Sequence, residues 1–118
     1  GKALAENQAI QWPLVELATQ AEMLRLLIRK TAWEMDQLTQ AQVEHTLSDK
    51  VSMCNYWANR LCCEAADRAI QVHGGMGFTW EFDCHMYYRR ANALALGLGS
   101  LSYWEDQLID RMRKRNAA

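Results

Sequence analysis

Proline occurs once in this 118-residue chain, at Pro13, and no apolar run approaches the length needed to cross a bilayer. The scarcity of proline, with half the residues hydrophobic, argues for an ordered, helix-rich globule and against a disordered tail. Charge of one sign is also missing: 13 basic and 14 acidic residues leave a formal net charge of -1. That balance excludes broad attraction to nucleic acid or to an anionic membrane. No cleavable signal is expected before the first helix. Cysteine is present without pattern, because Cys54, Cys62, Cys63 and Cys84 do not recur at ligand spacing with His45, His73 or His85. The expectation is reduced core or interface thiols, no metal site, no catalytic cysteine and a reducing compartment.

What the chain does have is helical rhythm. Ile10, Leu14, Leu17, Ala21, Leu24 and Ile28 alternate steps of four and three, which predicts a long helix over about 5–37 with one apolar seam. Pro13 should kink that helix or mark its true first turn. A polar connection from Leu38 to Thr46 follows, and Ser48 or Asp49 is placed to cap a second helix. Its seam runs through Leu47, Val51, Cys54, Ala58, Leu61, Ala65 and Val72. A third helix is expected over 81–96, with Met86 and Ala93 on one side and Tyr87 and Tyr88 as anchors. A fourth, carrying Trp104, Leu108 and Met112, is expected behind a Ser102/Glu105 capping box. Such seams are buried only against one another, so the predicted fold is all-α, an up-and-down four-helix bundle forming a single domain over 1–118. The cations Arg111, Arg113, Lys114 and Arg115 suit the negative end of the last helix.

Few residues announce chemistry. Glu16, Glu22, Glu34 and Asp36 read as solvated helix faces. Gly74, Gly75 and Gly77 follow a helix instead of a strand and no lysine comes after them, which removes the usual phosphate-loop contexts. A plain C-cap needs only one glycine, yet this turn holds three.

The run Ala69 to Glu81, AIQVHGGMGFTWE, resembles the AIQVHGGMGYT motif of acyl-CoA dehydrogenases, and the opening GKALAENQAIQW resembles that family's GKPLAEHQAIQ segment. The two stand in the right order and separation, so the likeness spans nearly the whole chain. It implies a C-terminal helical-bundle domain that packs subunits into homo- or hetero-oligomers and offers its glycine turn to the FAD of a neighbouring subunit. Gln71, Gly74 and Gly75 would then lie against the adenosine diphosphate part of FAD, Gln8 near its adenine end, and Ser100 beside the flavin. The parent protein would dehydrogenate an acyl-CoA thioester and pass electrons to an electron-transfer flavoprotein, in the cytoplasm or the mitochondrial matrix. Glu81 and Arg89 would pair to fix the turn.

The chain departs from the family where the chemistry is done. Against the common IYEGTSEIQ it reads LGLGSLSYW, which puts Leu98 where the α-proton-abstracting glutamate stands. No catalytic residue is therefore assigned. Alone, the chain would supply one wall of a site, so it is expected to hold no FAD tightly and to be inactive. The competing reading is a non-catalytic helical assembly module or an inactive partner subunit.

Overall fold

The computed structural model describes residues 3–117, with the backbone only for Glu44, His45 and Thr46, so Gly1 and Lys2 of the opening motif lie outside it. Helix α1 spans Gln8–Asp36 and starts where the Asn7 side chain accepts the Ala9 amide at 3.0 Å. Pro13 neither starts nor ends it. The missing proline amide deprives only the Ala9 carbonyl of a partner, and Ala9 is exposed to water.

The expected seam of α1 holds through Leu17, Ala21 and Leu24, then turns to Leu27, Thr31 and Glu34, leaving Ile28 45% exposed. A pattern repeating every seven residues drifts around a straight helix of 3.6 residues per turn, and the buried face follows the drift. Thr31 is buried there because its hydroxyl donates to the Leu27 carbonyl at 2.8 Å. Glu34 forms an ion pair with Lys50 on the returning helix.

The connection expected to be plain polar chain contains a short helix, α2, Gln40–Thr46. The Gln42 side chain accepts from the amide and hydroxyl of Thr39, which fixes its first turn. Helix α3, Ser48–His73, starts one residue after α2 ends, with Leu47 wholly buried at the joint. Ser48 and Asp49 therefore occupy its first turn and not the cap.

Helices α4, Cys84–Gly97, and α5, Leu101–Ala117, both run antiparallel to α3, one after the other. Cys84 stands beside His73 at one end of α3, the Asn59 amide donates to the Ala95 and Gly99 carbonyls at its middle, and Arg111 donates to the Ser48 carbonyl and the Ser52 hydroxyl at the other. The all-α bundle is thus what its residues build, around α3, with α4 and α5 acting as one interrupted rod. In α4 the packed face is Cys84, Tyr88, Ala91 and Ala95, whereas Met86 and Ala93 face solvent. In α5 the half-buried row is Trp104, Leu108 and Arg111, and Met112 is 48% exposed. The cap of α5 is Ser100, whose hydroxyl accepts the Tyr103 amide at 3.2 Å, so the expected Ser102/Glu105 box does not form.

The result is a rod 61 × 26 × 26 Å with a radius of gyration of 17.9 Å, against about 13.5 Å for a compact chain of this length. Its fully hydrophobic core is small: Leu47, Leu61, Ala66, Ile70 and Ala91. The accessible surface is 8985 Å², about 2,400 Å² more than a compact monomer of this mass shows.

Candidate functional site

Three glycines end α3 in three different ways. Gly74 has φ +58°, a conformation that penalises any side chain, and its amide bonds back to the Gln71 carbonyl. Gly77 is buried against the helix it follows: a Cβ there would stand 2.9 Å from the Ile70 carbonyl oxygen and 3.2 Å from its Cα. Gly75 needs glycine for neither reason, because nothing lies within 4 Å of the position its Cβ would take. The fold requires Gly74 and Gly77 and leaves the backbone at Gly75 bare.

The turn is braced from below. Thr79 donates its hydroxyl to the Met76 carbonyl at 2.9 Å. His85 Nδ1 bonds the Phe82 carbonyl at 2.8 Å, and the His85 ring meets Trp80 edge-on with centroids 4.6 Å apart. Its Nε2 is buried with no partner. Glu81 and Arg89, expected to fix this loop, are both exposed and share no ion pair among the described residues. His73 Nδ1 lies 2.7 Å from the Ala69 carbonyl and 3.4 Å from Cys84 Sγ, an imidazole–thiol contact that spacing did not reveal because the residues come from different helices. No group of three or more metal-ligating side chains stands together among the described residues.

Gln71 is exposed on the last turn of α3, beside Gly74 and Gly75. Gln8 is the first, exposed residue of α1. Glu34 opposite Lys50 and Thr31 opposite Cys54 set an antiparallel register that carries the start of α1 toward the glycine end of α3. Ser100 is elsewhere. It caps α5 next to Gly99, whose carbonyl is held 2.7 Å from Asn59, and Asn59 lies 15 residues before Gly74 on α3, about 22 Å along the helix. One chain therefore gathers Gln71, Gly74 and Gly75 at one end and sets Ser100 at mid-length.

Leu98 ends α4 and lines an apolar groove of about 340 Å³ with Leu24, Ala58, Cys62, Ala65 and Leu94. Asn59 is the one polar residue of this lining, and its amide is spent on the α4–α5 break. Among the described residues no carboxylate borders the groove. Glu105 lies over the surface of α3, where it helps Tyr56, the main cause, and Glu64 hold the Arg60 guanidinium above its ordinary pKa. Asn59 was invisible to seam counting because a buried amide interrupts an apolar row only when its partners, two carbonyls 36 and 40 residues away, are known.

Comparison with known proteins places the chain. The family model for the acyl-CoA dehydrogenase C-terminal domain matches residues 1–113. The caffeyl-CoA reductase-Etf complex subunit CarC of Acetobacterium woodii is 31% identical over 100 residues, 85% of this chain and 25% of that protein. The protein named "Probable acyl-CoA dehydrogenase FadE2" of Mycobacterium tuberculosis is 36% identical over 77 residues, 65% of this chain and 18% of its own length. The 3-(aryl)acrylate reductase of Clostridium sporogenes is 28% identical over 99 residues, 84% of this chain and 25% of that protein. The chain spans a quarter or less of the length of these relatives, and no solved structure matches it. The match over residues 1–113 covers every helix of the bundle but the last turn of α5, and the chain belongs to the acyl-CoA dehydrogenase family as its C-terminal domain.

Proposed function

We propose that this chain works as the C-terminal domain of a FAD-dependent acyl-CoA dehydrogenase, where it provides part of the FAD site and an oligomer interface. The observation that carries the FAD reading is Gly75, a glycine that its own fold does not require and that leaves backbone open to an outside group. Gln71 to Trp80 contains no carboxylate, so an anionic pyrophosphate meets no repulsion along the turn. Gln71, Gly74 and Gly75 would hold the adenosine diphosphate part, with Gln8 near the adenine. Bound there, FAD would supply the hydride-accepting chemistry of the dehydrogenation.

The chain's own residues bind and orient in this reading; none takes the α-proton. Leu98 has no proton acceptor and none of the residues lining its groove is a carboxylate, so in this reading the base belongs to another part of the protein or to a partner subunit. That observation also keeps alive the reading of a base-less partner subunit. Electron-transfer flavoprotein is the proposed electron acceptor, in line with the name of the Acetobacterium woodii relative, a subunit of a reductase–Etf complex.

The test is flavin chemistry in the full-length parent. A stoichiometric flavin that bleaches on adding an acyl-CoA supports the dehydrogenase. A folded parent without flavin leaves only the assembly module.

A further inference from the structure

The break between α4 and α5, residues 98–100, is held by two side chains from outside it. Asn59 donates its amide to the Ala95 carbonyl at 3.3 Å and to the Gly99 carbonyl at 2.7 Å, and Trp104 donates its indole N–H to the Leu98 carbonyl at 3.0 Å. Neither donor is free to turn. Asn59 is 7% exposed, and its oxygen accepts from the Cys63 thiol at 3.8 Å, which fixes the end of the amide that faces the break. The Trp104 ring lies against Gly99, which has φ +100° and where a Cβ would stand 3.1 Å from the indole nitrogen. With those carbonyls satisfied from within, the break turns side chains outward: Leu98 is 55% exposed, and Ser100 is exposed. Ser100 Oγ accepts the Tyr103 amide at 3.2 Å and shares one hydrogen bond with the Ser102 hydroxyl at 3.0 Å. The two hydroxyls carry two protons and this bond uses one. Whichever way it runs, one O–H is left to donate.

We infer that Asn59 and Trp104 are positioning residues, which lock residues 98–100 so that the Ser100/Ser102 hydroxyl pair presents its free proton to an acceptor atom of the flavin ring. The inference rests on the FAD reading above and on the place beside the flavin that the family likeness gives Ser100; it adds the residues that hold that place. A donor acts most strongly when its direction is fixed beforehand, because a mobile loop loses part of the bond's free energy to its own ordering. A hydrogen bond to a ring atom also tunes the cofactor's electronics, which makes the lock visible in the flavin spectrum.

The full-length parent carrying Trp104→Phe, Ser100→Ala and the two together tests this, with Asn59→Leu as a second way to release the break. Trp104→Phe keeps an aromatic ring and removes the N–H. Hydrogen exchange of the amides over 98–104 should quicken about tenfold in Trp104→Phe, with the amides of α1 unchanged. The visible absorption band of the bound flavin should shift in Ser100→Ala, in Trp104→Phe and in Asn59→Leu. The Ser100→Ala/Trp104→Phe double variant should shift it no further than Ser100→Ala alone, because both act through one hydroxyl pair. Unchanged exchange would overturn the lock itself. Quickened exchange with the flavin band unmoved would overturn the positioning role and leave the FAD reading standing. Shifts that add in the double variant would overturn the route through Ser100. A folded parent without flavin would overturn the FAD reading and this inference with it.

Discussion

The buried Asn59 amide donates to the Gly99 carbonyl at 2.7 Å, tying the middle of α3 to the break between α4 and α5. The same amide reaches the Ala95 carbonyl at 3.3 Å, so one side chain satisfies two of the acceptors left open at that break. Asn59→Ala should lower unfolding free energy by about 1–3 kcal/mol, since buried carbonyls lose their partners. Denaturant midpoints at unchanged slope measure it.

The glycine turn should separate folding from the proposed flavin contact at neighbouring positions. Gly77→Ala forces a Cβ to within 2.9 Å of backbone and Gly74→Ala puts one at φ +58°, so each should destabilise the chain by about 1–3 kcal/mol. Gly75→Ala should change stability by less than about 0.5 kcal/mol. Thermal melts of the three variants give the order.

Cysteine reactivity should divide an adjacent pair. Burial, with Cys62 and Asp67 adding to it, holds the Cys63 thiol above its ordinary pKa, while Cys62 is exposed. At mildly alkaline pH iodoacetamide should label Cys62 first, by peptide mass mapping. Because the native thiol is harder to ionise than the unfolded one, Cys63 favours the fold below the ordinary thiol range, and that contribution falls as pH rises through it.

Within the full-length parent, Leu98→Ala should leave α-proton abstraction intact, as should Glu105→Gln, which lies with Arg60 away from the groove. Deuterium exchange at the substrate α-carbon reports that step. Exchange lost in Glu105→Gln alone would place the base inside this domain.

Helices were legible because periodicity is local: α1 and α3 follow from apolar spacing, and the end of α3 from the stop at Gly74, although α1 starts at Gln8 and not at residue 5 because a separate turn, Leu4–Glu6, precedes it. The short α2, the switch from Ile28 to Leu27 and Thr31, and Arg111 in place of Met112 were not, since each depends on what the neighbouring helix offers. At the turn, motif likeness pointed to Gly74 and Gly75 together, but only geometry separates the glycine that the backbone angle demands from the one left open. The His73–Cys84 contact lay beyond reach for the same reason.

The most direct measurement is the flavin-to-protein ratio of the full-length parent carrying Gly75→Val, purified beside the unaltered protein. The expected result is an unchanged helix content and melting point with most of the flavin lost, because the branched side chain enters space that this chain leaves open and that the proposed FAD contact would use. Full retention of flavin in the variant would contradict the proposed role of the turn and reduce it to the end of a helix.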